Sequence, residues 1–181
     1  MKAITLWQPW ASLLACGAKK YETRSWDTSY RGPIAIHAAA RSIQSILKEC
    51  FPCADYEYHP SHAARAKFLN ACGFATLEPL YEFPRGAIIA TAELVNCWHI
   101  VSHPGTNIDV ARHIPIGAEL DVPKHHPDFD KYIVPTEQEI MFGNWTPGRY
   151  AWEFTNMQVL LEPIPAKGGQ RLWNWEGDID A

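Results

Sequence analysis

The segment Arg85–Ile100, "RGAIIATAELVNCWHI", is the most strand-like part of the sequence and most constrains the fold. Its apolar, β-branched content over so many positions indicates a long, largely buried strand. Shorter segments of the same kind are "KAITLW", "YETRSW", "GPIAIHAAA", "GRYAWEF" and "MQVLLEP". Because helical patterns separate some of these strands, the sequence predicts an α+β fold in which the strands close into a small barrel.

Three helices are predicted before the long strand, and a short one is predicted after it. They are "QPWASLLACG", which stops at Gly17, "RSIQSILKEC", "SHAARAKFLNACG", and a helix that follows the capping-box pattern "TEQE". The 181 residues fit one domain. Residues 100–135 hold five prolines and four histidines, which predicts a loop insertion and a candidate lid, and residues 163–181 form a polar, Trp-containing tail.

Charge is unevenly distributed along the chain. The formal net charge is -4, which disfavours a protein that coats nucleic acid by charge alone. Residues 1–41 nevertheless carry +4 and the remainder carries -8, so the N-terminal quarter could present a positive face. With five cysteines and no pattern of a signal peptide or a membrane-spanning helix, we expect a cytoplasmic protein that binds no membrane.

The segment "GAKKYETRSW" crowds charges between a predicted helix and a predicted strand. If Gly17 ends the helix, Glu22 and Arg24 share one face of the strand, and Lys19 on the turn could reach that face. Arg24 could fork onto a phosphate, a carboxylate or a base edge, and Glu22 could accept from an exocyclic amine. The spacing alone equally describes an exposed ion-pair cluster of little energetic value.

Aromatic residues flank this segment. Trp7, Trp26 and Trp173 are candidates to stack on a base, a role that tryptophan performs beside Lys and Arg. The alternative for Trp7 and Trp173 is packing within the fold, and we expect that role for Trp10. Glu93 lies within an apolar strand, where it would complete a site if it faced Lys19 or Arg24 and would be ordinary if it faced solvent.

Metal and nucleophile patterns are weak. Cys50, Cys53, His59 and His62 are ligand types that suit zinc, but their spacing is far shorter than in a zinc finger, and we predict neither a metal nor a cofactor. Gly-x-Ser-x-Gly and phosphate-binding glycine loops are absent from the sequence.

The spacing G-x-K-x-x-E-x-R, formed by Gly17, Lys19, Glu22 and Arg24, resembles the signature of the ASCH domain, a branch of the PUA-like superfamily. "LWQPWASLLACG", "RGPIAIHAAAR", "PRGAIIATAELVNCW" and "GRYAWEF" also look like its bacterial and phage-type members. The resemblance implies a small PUA-like β-barrel with flanking helices and a cleft lined by the signature. It also implies recognition of RNA, single-stranded nucleic acid or a modified nucleotide.

Some relatives in this family are enzymes, so the resemblance leaves hydrolysis open. One group deacylates N4-acetylcytidine with a set that includes the signature lysine, a threonine and a glutamate, and ribonuclease activity is also associated with the family. Lys19 matches the lysine, whereas Glu22 occupies the threonine position. We therefore predict a binding module at Lys19, Glu22, Arg24, Trp7, Trp26, Glu93 and Trp173. The alternative is an amidohydrolase or ribonuclease in which Lys19 and Glu22 are catalytic.

Overall fold

The computed structural model describes residues 1–52, 60–102, 109–113 and 132–178. Within these ranges the chain is a mixed α+β protein, which confirms the predicted class. The helices are α1 (Trp10–Ala15), α2 (Ile43–Cys50), α3 (Pro60–Ala71), α4 (Glu78–Tyr81) and α5 (Glu137–Phe142). The strands are β1 (Lys2–Leu6), β2 (Tyr21–Arg24), β3 (Gly32–Ala38), β4 (Ala87–Ser102), β5 (Asp109–His113), β6 (Tyr132–Ile133), β7 (Tyr150–Pro165) and β8 (Leu172–Asn174).

The chain divides into two compact units, and β4 and β7 each contribute residues to both. Unit 1 comprises Met1–Lys19, Pro33–Ala92 and Asn156–Ala181, and its strand order is β7-β4-β3-β1-β8. Its core includes Ala3, Ala35, Ile88 and Trp175, with Trp173 packed against them. In this unit β1 pairs with β3 in parallel and with β8 in antiparallel orientation.

Unit 2 comprises Lys20–Gly32 and Glu93–Thr155, and its strand order is β2-β7-β4, with β5 paired to β4 and β6 to β5. Its core includes Trp98, Ile100, Trp145 and Ala151. Helix α5 begins where expected, because the hydroxyl of Thr136 accepts a hydrogen bond from the Glu139 N–H at 3.2 Å.

Two predicted features differ from the structure. Within the expected loop insertion at 100–135, β4 continues to Ser102, and β5 and β6 form a further ladder, while 103–108 and 114–131 lie outside the described residues. The two strands expected from "GRYAWEF" and "MQVLLEP" are one strand, β7. The two predicted strands meet at Asn156, which has a left-handed φ of 51°, and β7 continues through this residue.

Candidate functional site

The turn that precedes β2 is set by Gly17. This residue follows α1 with φ of 79°, the left-handed conformation that ends helices, and its N–H donates to the Leu14 carbonyl at 3.1 Å. The Lys19 N–H then donates to the Leu13 carbonyl at 2.9 Å. The predicted helix stop is therefore correct, and it fixes the backbone of Lys19 in unit 1.

Lys19 is buried, with 1% of its surface exposed. A lysine is almost never found so deeply buried unless its ammonium has partners, since removing a charge from water is costly. Low exposure also applies to Glu22 and Arg24, whose side chains are 12% and 26% exposed. With these exposed fractions, the charged segment is not the exposed ion-pair cluster that its spacing alone would equally allow.

Strand β2 belongs to unit 2 and places Glu22 and Arg24 on one face. The Arg24 Nε lies 3.2 Å from the Glu22 Oε1, so the two side chains form an ion pair. In the antiparallel ladder, Glu22 pairs with Trp152 of β7 and Arg24 pairs with Tyr150. The period-two geometry expected from the sequence is thus present, and the pair combines carboxylate acceptors with guanidinium donors.

The opposite face of β2 is held by the segment that follows α5. The Asn144 N–H donates to the Thr23 hydroxyl at 2.8 Å, and the Arg149 Nη2 donates to the Thr23 carbonyl at 3.3 Å. Gly143 leaves room for this contact, because a Cβ there would lie 3.1 Å from the Thr23 Cγ2. Thr23 is 8% exposed and acts as scaffold, so β2 has a fixed orientation.

Glu139 lies against the backbone of the signature segment, and sequence reasoning did not single it out as a candidate. Its carboxylate is buried, with the residue 5% exposed, and its Oε1 accepts a hydrogen bond from the Lys20 N–H at 2.6 Å. Its carbonyl accepts from the Trp145 Nε1 at 2.8 Å. From the sequence, Glu139 is only the second member of the capping-box pattern. Its contact with Lys20 spans 119 positions, so no local pattern predicts it.

Tyrosine and tryptophan side chains surround β2 in unit 2. Burial, followed by the negative charges of Glu153 and Glu139, raises the pKa of Tyr21. The Trp26 ring meets the Trp152 ring edge-on, with centroids 4.6 Å apart, and the Trp152 Nε1 donates to the Trp26 carbonyl at 3.3 Å. Trp26 is half-buried, so part of its surface remains available to a ligand.

Glu93 also lies in unit 2 and is half-buried. Its neighbour in the structure is Tyr30, whose pKa is raised by burial and then by the charge of Glu93. The place of Glu93 in a site with Lys19 or Arg24 stays a prediction.

The other two predicted stacking residues belong to unit 1. Trp7 is 45% exposed, and the Arg41 guanidinium lies over its ring at 4.6 Å from the centroid. Trp173 lies on β8, where its Nε1 donates to the Thr5 hydroxyl at 3.1 Å and its ring meets His37 edge-on. Trp7 therefore has the exposure that a stacking residue needs, whereas Trp173 is half-buried within the fold.

The structure does not test the zinc pattern of Cys50, Cys53, His59 and His62, since Cys53 and His59 are not among the described residues. In the ranges that are described, no group of three or more His, Cys, Asp or Glu side chains is placed to hold a metal ion. Over the same ranges, no helix has the length and apolar character needed to cross a membrane.

The mixed fold and the signature on the turn and β2 define a PUA-like module. Comparison with protein families agrees: the ASCH domain model matches residues 4–163, and the chain belongs to the ASCH domain family. The chain is also 29% identical over 96 residues to the human protein "Activating signal cointegrator 1". That match covers 52% of this chain and 14% of the human protein. Membership of this PUA-like, RNA-binding type of module supports a general role in nucleic-acid binding.

Proposed function

We propose that the protein binds a nucleotide, or an unstacked base of single-stranded nucleic acid, at the signature residues Lys19, Glu22 and Arg24. The observation that carries this proposal is the ion pair between Glu22 and Arg24 on one face of β2, whose side chains are mostly buried. Hydrogen bonds to Thr23 from the segment after α5 hold the strand in place. Preorganised charges of both signs favour a ligand that has both donor and acceptor edges.

Roles follow from the chemistry of each side chain. The Arg24 guanidinium would donate to a phosphate or base acceptor, and the Glu22 carboxylate would accept from an exocyclic amine. Trp26, which is half-buried beside β2, would offer a stacking face for a base. Glu93, in the same unit, would contribute a further carboxylate to the binding site. Lys19 is assigned on the family signature, and its burial suits contact with a small group rather than a long strand.

The test is titration with mononucleotides and short single-stranded oligonucleotides at low salt. Arg24→Ala is expected to weaken binding by about 10-fold or more, the value of a hydrogen bond to a charged group. Lys20→Ala is the matched control, because its side chain is exposed and its backbone contact to Glu139 is retained. Saturable binding that is equal in the two variants would exclude the signature as the binding site.

Hydrolysis of a modified nucleoside is the second candidate, favoured by the burial of Lys19. A lysine withdrawn from water is a common way to obtain a reactive amine or a catalytic base. In deacylation of N4-acetylcytidine, water adds to the acyl carbon, the C–N bond breaks, and acetate and cytidine are released. Lys19→Met, which keeps most of the volume, and Glu22→Gln should abolish this release; turnover retained in both would rule the mechanism out.

A further inference from the structure

One end of the unit 1 sheet collects residues from strands that are distant in sequence. Strands β1 and β3 are parallel and pair Leu6 with Ala38, so both end there. The Gly86 N–H donates to the Ala38 carbonyl at 2.8 Å, so β4 begins at the same end. The Ala166 N–H donates to the Gly86 carbonyl at 2.9 Å, so β7 also finishes there.

Strand β8 completes this end of the sheet. It runs antiparallel to β1 and pairs Leu172 with Ile4, so the residues just before Leu172 lie beside the last residues of β1. The positions within three residues of these strand ends carry one exposed tryptophan and four cations, which we call the basic end. They are Trp7, Arg41, Arg85, Lys167 and Arg171.

Hydrogen bonds from two buried side chains hold the backbone that carries two of these cations. Gln8 is 0% exposed, and its Nε2 donates to the Pro84 carbonyl at 2.7 Å, which holds the turn before Arg85. His37 is 2% exposed, and its Nε2 bonds the Ala166 carbonyl at 3.0 Å, which holds the chain before Lys167. The basic end is therefore presented by rigid backbone, which reduces the entropy cost of binding.

Two glycines allow the chain to cross the sheet end closely. A Cβ on Gly168 would lie 2.5 Å from the His37 ring, and a Cβ on Gly169 would lie 2.7 Å from the Trp173 ring. The sequence "AKGGQR" thus presses against the sheet and presents Lys167 and Arg171, which are exposed, on either side of the glycine pair. The polar C-terminal tail thus carries tryptophans because Trp173 and Trp175 pack in the core of unit 1.

Trp7 and Arg41 form the aromatic part of this surface. The guanidinium covers one face of the ring, and Arg41 is itself held by an ion pair with Glu49 and by a hydrogen bond to the Ser45 hydroxyl at 3.3 Å. With 45% of Trp7 exposed, the ring retains a surface on which a base can stack. The three residues just beyond each of these strand ends include four cations and no carboxylate, and Glu49 is the ion-pair partner of one of the cations, Arg41.

We propose that the basic end binds the phosphate backbone of single-stranded nucleic acid, with a base stacked on Trp7. This deepens the proposed function and rests on it, since it assigns a phosphate-binding surface within unit 1 to the single-stranded nucleic acid that the protein is proposed to bind. An acidic peptide would satisfy the cations but not the tryptophan. The local excess of positive charge on a chain of net charge -4 is what a phosphate backbone recognises.

The experiment measures the affinity of the full chain for a fluorescently labelled 12-nucleotide single strand as a function of salt. The double variant Lys167→Ala/Arg171→Ala should bind more weakly, with a slope of log K against log salt that is shallower by about 1.4, because each lost phosphate contact on a single strand removes about 0.7. Lys2→Ala is the matched control, because Lys2 begins β1 at the opposite end of the same sheet. Its slope should equal that of the unmodified protein.

Trp7 is tested by a graded pair of substitutions. Trp7→Ala should weaken strand binding by about 5-fold or more, whereas Trp7→Phe should retain most of it, because a smaller ring still stacks. Mononucleotide affinity should be unchanged in both variants and in the double variant.

The outcomes separate this inference from the proposed function. Equal slopes for the double variant and Lys2→Ala would overturn the inference, as would strands that bind no more tightly than mononucleotides, and neither result affects binding at the signature. If the double variant loses strand binding but Arg24→Ala changes nothing, the signature proposal fails while the basic end stands. If a polyglutamate peptide or an anionic vesicle binds as tightly as the strand, with the same loss in the double variant, the assignment to nucleic acid is overturned.

Discussion

The carboxylate of Glu139 connects α5 to the turn that carries the signature. Glu139→Ala would leave the Lys20 N–H without its acceptor and is expected to reduce the free energy of unfolding by about 1–3 kcal/mol. Glu139→Gln retains an oxygen at the same distance and should recover most of this loss. Urea denaturation of the three proteins makes the measurement, and a Gln variant as unstable as Ala would show that the charge, rather than the hydrogen bond, stabilises the turn.

Single residues also show where sequence reasoning succeeds and where it fails. Glu22 and Arg24 were placed correctly on one face of β2, because alternation is a local property of any strand. Lys19 and Glu139 were not recognised as buried, since burial depends on segments far apart in the chain. For Trp173 the sequence left stacking and packing both open, since its partner Thr5 lies 168 positions away.

The glycine-containing segment after β7 acts as one element with the sheet end below it. Gly168→Ala would place a methyl group against the His37 ring and should cost about 1–3 kcal/mol of unfolding free energy, the usual penalty of overpacking. Because the clash is with a side chain, His37→Ala should relieve it. The double variant Gly168→Ala/His37→Ala should then be more stable than the sum of the single losses predicts.

A double-mutant cycle by chemical denaturation measures that coupling. Gly17→Ala is the control, because nothing lies within 4 Å of its Cβ position and its cost arises only from its φ of 79°. Gly17→Ala and His37→Ala should therefore be additive. If Gly168→Ala and His37→Ala are additive as well, the close approach of this segment to the ring is not what constrains the glycine.

The ends of elements were predicted well where a local sequence signal marks them. Gly17 ends α1 through its left-handed conformation, and Thr136 begins α5 through its hydroxyl. The single strand β7 was divided because Asn156 and its polar neighbours resemble a turn, and only pairing with neighbouring strands reveals its continuity. Strand β5 was missed for the same reason, since its pairing with β4 is not encoded in its own residues.

Across the whole molecule, buried ionisable groups should set the pH range of stability. Burial lowers the pKa of His37, although its hydrogen bond to Ala166 opposes the shift. The unfolded chain then takes up a proton at His37 before the folded one does. The free energy of unfolding should therefore fall as pH drops below about 6.5, by at most about 1.4 kcal/mol per pH unit from this residue.

The alkaline side has a different cause. Burial raises the pKa of the Cys72 thiol to about 12, with a smaller contribution from Cys16. The unfolded thiol ionises first, so the stabilisation that the neutral thiol provides is lost as pH rises from about 8.5 towards 12. Urea denaturation at successive pH values should give a maximum between these limits. His37→Gln should flatten only the acidic side, and Cys72→Ser only the alkaline side. An acidic slope unchanged by His37→Gln would mean that other groups control the acidic limit.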